Sequence, residues 1–160
     1  MKKIILVAAM VLGFALAASA QQYRAGVRVG SGFQAQAEYK YAESNYFEAR
    51  FGMSWCSYGG FLTADFTALH NWNVMNMDWT PSVGQWFFDA GVGAQAALLL
   101  HDNGGVYAGA VGDAKFGIKF NKVPIKLAID YTPGLGCLFA DGGGLGFRPW
   151  NFGLSCVYCF

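Results

Sequence analysis

Trp150-Asn151-Phe152-Gly153-Leu154-Ser155-Cys156-Val157-Tyr158-Cys159-Phe160 decides how this 160-residue chain is read. A two-residue period puts Trp150, Phe152, Leu154, Cys156, Tyr158 and Phe160 on one side of a strand. Asn151, Gly153, Ser155, Val157 and Cys159 fall on the other. Chain ends usually fray. An alternation that runs to a final aromatic is instead expected to be a packed strand that pairs with the first one and closes a barrel.

The opposite end of the chain gives a matching expectation. Lys2 and Lys3 are followed by an apolar run from Ile4 to Ala17, then Ala18-Ser19-Ala20 and two glutamines. A basic start, a short apolar stretch and a small-x-small site make a secretory signal peptide over residues 1–20, too short to be a membrane-spanning helix. The barrel would then occupy residues 21–160. Without Lys2 and Lys3 the chain keeps nine basic and ten acidic residues, a formal charge of −1. No basic patch stands out, so nucleic acid is not an expected partner. No apolar run of about 18 residues follows Gln21, so any membrane span must be built of strands.

Seven further alternating segments precede the last one. Tyr23 to Gly30 sets Tyr23, Ala25, Val27 and Val29 against Arg24, Gly26, Arg28 and Gly30. Phe33 to Tyr41 sets aromatics and alanines against Gln34, Gln36, Glu38 and Lys40. After the Ala42-Glu43-Ser44-Asn45 turn, Phe47, Ala49, Phe51, Met53 and Trp55 alternate with Glu48, Arg50, Gly52 and Ser54. A turn at Tyr58-Gly59-Gly60 leads to Leu62, Ala64, Phe66 and Ala68, opposite Thr63, Asp65 and Thr67. Trp86 to Leu98 and Val106 to Phe120 are the fifth and sixth, and Ile125 to Tyr131 the seventh. Thr132 to Pro149 is expected to be a long outward loop. The expected fold is therefore all-β: an eight-stranded antiparallel up-and-down barrel, the smallest common transmembrane size.

Soluble barrels alternate as well, but with the polar face outside. Here the polar faces are rich in Gly, Ala, Ser and Thr, with one or two charges per strand, which suits a narrow interior. Arg24, Arg28, Lys40, Arg50, Lys115, Lys119 and Lys126 nearly balance Glu38, Glu48, Asp65, Asp89, Asp113 and Asp130. Apolar faces such as Phe33-Ala35-Ala37-Tyr39 carry aromatics at their ends, the imprint of aromatic girdles at two membrane interfaces.

Three stretches carry a resemblance: Phe66 to Asn71, Gln85 to Gly93, and Gly112 to Pro133 with its Asn-Lys-Val-Pro turn and Asp-Tyr-Thr-Pro ending. On these residues the chain resembles the small Gram-negative outer-membrane protein β-barrel domain family. The resemblance implies a location in the bacterial cell outer membrane, reached by export through the signal peptide. It implies outer-membrane lipids as surroundings and an assembly machine that reads the C-terminal aromatic strand, with the barrel itself a monomer. It implies no reaction, no cofactor and no metal.

The candidate sites have plain alternatives. His70, near the expected end of the fourth strand, and His101, in a His-Asp-Asn-Gly-Gly loop, are the histidines of the chain. Some outer-membrane barrels are lipid A hydrolases with a Ser/His/acid arrangement, but no serine is placed beside His70, so an interfacial histidine is the expectation. Gly91-Val92-Gly93-Ala94-Gln95-Ala96 fits a dinucleotide fingerprint in letters only, because no helix follows. Asp141 to Gly146 lacks the Gly-Lys-Ser/Thr ending of a phosphate loop. Cys156 and Cys159 are about 10 Å apart along one strand and face opposite ways, too far to bridge. Cys56 and Cys137 end outward-running strands near one rim, where a loop disulfide would fit, while Cys156 is expected to be free and lipid-facing. Asn71 to Gly84 should be a short turn but holds Trp72, Val74, Met75, Met77 and Trp79. Either the flanking strands run on, or the segment is an aromatic lip. The expected role is a structural or surface-interaction barrel with a plugged polar interior and no catalysis. The alternatives are a lipid-modifying enzyme, a narrow pore and a soluble lipocalin-like carrier.

Overall fold

The computed structural model describes residues 22–55, 62–100, 104–139 and 143–160. The expected signal peptide, the Tyr58-Gly59-Gly60 turn, His101 and Cys56 lie outside the described residues. Within them the regular structure is antiparallel strand throughout. The strands are β1 (Tyr23–Gly30), β2 (Gly32–Lys40), β3 (Asn45–Ser54), β4 (Thr63–Thr80) and β5 (Gly84–Leu99). They continue as β6 (Val106–Phe120), β7 (Ile125–Tyr131), β8 (Gly134–Phe139), β9 (Leu145–Arg148) and β10 (Phe152–Cys159).

From β1 to β7 each strand pairs with the next in sequence, and β10 returns to β1, with Cys156 opposite Val27. Strand β7 pairs with one part of β6, Tyr131 opposite Ala114, and β8 continues along the same strand, Gly134 opposite Val111. β7 and β8 are thus one stave in two pieces, and so are β9 and β10. The result is a closed antiparallel barrel of eight staves. One end, here the near end, carries Gln22, Phe160 and the turns at 41–44, 81–83 and 121–124. The far end carries Ser31 and the described residues Trp55, Leu62, Leu100, Gly105, Phe139 and Gly144.

The outward loop expected over Thr132 to Pro149 is instead the hairpin of β8 and β9. Its inward positions include Gly134 and Gly136, which carry no side chain and so give no polar–apolar alternation to read. Pro133 and Pro149, which lack N–H groups, interrupt both pieces at one height. The barrel stays joined across the break. The Gly112 amide donates to the Pro133 carbonyl (2.9 Å), and that of Thr132 to the Asn151 carbonyl (2.8 Å).

The Asn71 to Gly84 question is settled in favour of longer strands. β4 runs to Thr80, and the turn is Pro81-Ser82-Val83, closed by the Val83 amide on the Thr80 carbonyl (2.9 Å) with proline at its favoured corner. Register shifts between Asn73 and Met75 and between Met77 and Thr80 break the two-residue period, which hid the strand.

The side chains are sorted inside out. Among the described residues, nine buried side chains are hydrophobic and twenty-one are polar or charged. Large apolar residues are exposed around the whole circumference, from Phe51 (65%) and Val92 (56%) to Ile129 (61%) and Leu154 (56%). On this outer face Ala25, Ala37, Ala49, Ala68, Ala94 and Ala110 sit opposite one another on six successive strands. Aromatic groups collect towards the near end: Tyr23 against Tyr39, Trp79 and Trp86 against Phe116, and Tyr158 against Phe160.

Candidate functional site

The bore is the chemically distinctive part of the molecule. Inward positions of every stave deliver charge into a space too narrow for water to screen it. Buried charges persist only when paired and hydrogen-bonded, and the pairs form layers.

One layer centres on Arg28 of β1. Its Nε donates to Asp130 Oδ1 (2.7 Å), Nη1 to Gln34 Oε1 (3.1 Å) and Nη2 to Asn151 Oδ1 (3.1 Å). Room for the guanidinium comes from Gly153, where a Cβ would lie 2.5 Å from its central carbon. The next layer centres on Arg50 of β3, which donates to Glu48 (2.5 Å), Asp113 (3.1 Å) and the Thr132 hydroxyl (2.9 Å). Asp130 stands 3.7 Å from it, so the two arginines share that carboxylate. Lys115 of β6 joins the layer through Glu48 and Asp113. Towards the near end, Lys126 pairs with Asp89 (3.2 Å) and Glu38 (3.7 Å), while Arg24 also holds Glu38 (3.1 Å). The Lys126 ammonium lies over the rings of Tyr46 (4.6 Å) and Phe87 (4.4 Å), a cation–π arrangement.

Towards the far end the charge thins out. Asp65 accepts from Gln34 (2.9 Å), Gln95 (3.3 Å) and the Ser54 hydroxyl, and Arg148 donates to Gln95 (2.7 Å). Beyond them Ala97, Leu99 and Tyr107 are buried together, with Leu138 packed on them. The Tyr107 ring lies on glycine: a Cβ on Gly109 would come within 2.5 Å of its hydroxyl, and one on Gly136 within 2.7 Å of the ring.

All thirteen charged residues assigned to the polar faces point into this bore or its near mouth, and all but Lys40 and Lys119 join one network of ion pairs and hydrogen bonds. Arg148 was missed because its segment reads as a loop. Tyr46 shares the parity of Glu48 and Arg50, the one signal that could have placed its ring and hydroxyl inside. The Tyr46 hydroxyl donates to Asp89 (2.8 Å), and the Asn71 amide to Glu48 (2.8 Å).

The other candidates are not drawn into a site. His70 lies within the extended β4 rather than near its end. It is on the outer face among Tyr41, Phe47 and Trp72, and shares a hydrogen bond with the Tyr41 hydroxyl. Gly91 to Ala96 are in β5, where a Cβ on Gly91 would collide with the Asn71 amide. Of the Asp141 to Gly146 run, Asp141 and Gly142 lie outside the described residues, and Leu145 and Gly146 belong to β9. Cys137 lies in β8 rather than at a strand end in a loop. It is exposed and free, as is Cys156, and Cys159 is free as well. No group of three or more His, Cys, Asp or Glu among the described residues could hold a metal ion.

The chain was compared with protein-family models, with curated proteins and with solved structures, and none matches it.

Proposed function

We propose that the chain is an integral outer-membrane β-barrel whose ionic interior is a plug, serving a structural or surface-interaction role without catalysis. One observation carries the reading: the barrel is polar inside and apolar outside. Arg28, Arg50 and Lys115 are about 1% exposed while Phe51, Val92 and Ile129 are more than half exposed. In water that arrangement would cost the hydrophobic stabilisation of every outward residue, at roughly 25 cal/mol per Å². In a bilayer the same residues are solvated by lipid, and the closed ring leaves no unpaired strand edge in the apolar layer. Staves of nine and ten residues, β2 and β3, match the length of a tilted membrane-spanning strand. A lipocalin-like carrier would present its charges to solvent and keep its bore open for a ligand.

Fractionation tests the placement. The protein is expected in the outer-membrane pellet, resistant to carbonate and high salt. Recovery as a soluble periplasmic species would overturn the reading. The plug has its own test. Eight staves leave a bore that side chains fill, so purified protein in planar bilayers is expected to give no steady conductance. Reproducible channels would make it a narrow pore instead.

A further inference from the structure

The near end of the bore opens into a cavity of about 130 Å³, several times the roughly 10–15 Å³ needed for one water. Its walls carry four cations, Arg24, Lys40, Lys119 and Lys126, against two carboxylates, Glu43 and Asp89. Arg24 and Lys126 are committed to Glu38 and Asp89 deeper in the bore. Asp89 is committed too, accepting from Lys126, the Tyr46 hydroxyl and the Asn73 amide.

Lys40 and Lys119 are different. Neither has an ion-pair partner within 4.0 Å among the described residues. The charges acting most strongly on Lys40 are positive at Arg24, Lys119 and Lys126 and negative at Glu43. Two ammonium groups from β2 and β6 thus face one space in which Glu43 is the one lining carboxylate not already committed to another cation. Asn76 and Gln85 add amide donors to its wall, and the rings of Tyr46 and Phe87, with Lys126 over both, close its inner side.

We propose that this mouth binds a small anion of the phosphate class, either free phosphate or the phosphate end of a soluble monoester. Lys40 and Lys119 outnumber Glu43, so the mouth keeps a positive excess on two opposite walls that a compact anion with several oxygens can bridge. Oxygens on several sides of one small group can accept from lysines on opposite walls and from the amides between them. The inner wall stops the ion from passing further, so the site is a cup and not a channel entrance. The proposal stands on the charge and shape of the mouth and does not depend on membrane placement.

The test is calorimetric titration of inorganic phosphate into the purified, folded barrel in zwitterionic detergent at low ionic strength. One saturable site is expected. Lys40→Gln and Lys119→Gln should each weaken it about tenfold, the size of one charge contact at partial exposure, and the double variant should abolish it. Lys122→Gln, in the turn and outside the mouth, should leave binding unchanged. Circular dichroism and the heat-dependent gel shift of each variant establish that the barrel is intact. Glycerol 3-phosphate, titrated in parallel, identifies a monoester if it binds more tightly than phosphate, and the free ion if it binds more weakly. Absence of saturable binding to the wild type would overturn the proposal. So would equal weakening by Lys122→Gln, which would reveal diffuse attraction with no site.

Discussion

The two ends of the bore are filled by different chemistry. At the far end Tyr107 lies on Gly109 and Gly136 and packs with Leu99, Ala97 and Leu138. The near end has no such cluster. It is blocked further in, where Lys126 sits on Tyr46 and Phe87 and pairs with Asp89 and Glu38, and outside that layer it is an open, positively charged cup. An apolar cluster works by shape and is indifferent to ions. An ionic seal works by mutual neutralisation, so any cation left outside it remains available to another anion. The barrel is therefore directional.

The largest effect should come from the ionic layers between the two ends. Arg50→Ala removes the group that gathers Glu48, Asp113 and Thr132 and stands near Asp130, and leaves two buried carboxylates, Glu48 and Asp113, to the single ammonium of Lys115. A loss of about 3–5 kcal/mol is expected, measurable by urea unfolding of the folded barrel. A loss below about 1 kcal/mol would mean that the layer is dispensable. Tyr107→Ala should come next, at about 3 kcal/mol, as for other large aromatic truncations. It should also discriminate between the ends: the far cluster opens while the ionic layers stay, so bilayer recordings should remain silent. Conductance in this variant would place the true barrier at Tyr107. The smallest effect belongs to Lys122→Ala, in the exposed turn between β6 and β7, which should stay within about 0.5 kcal/mol of wild type.

Much of this contrast is legible in the residues themselves. Each of the eight staves announces itself by alternation over at least part of its length, and the charges assigned to their polar faces do converge inside. The far cluster is less visible, for reasons of chemistry. Glycine at 109, 134 and 136 makes space for Tyr107, but it carries no hydrophobic signal, and Pro133 and Pro149 look like the borders of a loop. In the register-shifted part of β4, Met75, Met77 and Trp79 fall out of the two-residue period. The near cup was hidden for another reason. Lys40 and Lys119 sit on the same polar faces as the paired charges, and only the closed ring distinguishes those with carboxylate partners from those without.

The arginine layers also impose an order of events. Arg28 lies on the first stave, and its partners Asp130 and Asn151 are 102 and 123 residues further along the chain. Arg50 and Asp113 are 63 apart. Contacts of such separation form late, because the intervening chain must be ordered before they are rewarded. Until the last stave arrives, an inserting sheet would hold bare guanidinium groups against lipid tails, which is expensive for each one. A partly inserted sheet is therefore an unfavourable intermediate, and the charged interior acts as a timing device. On the proposed membrane placement, closure and entry into the bilayer would be one concerted step.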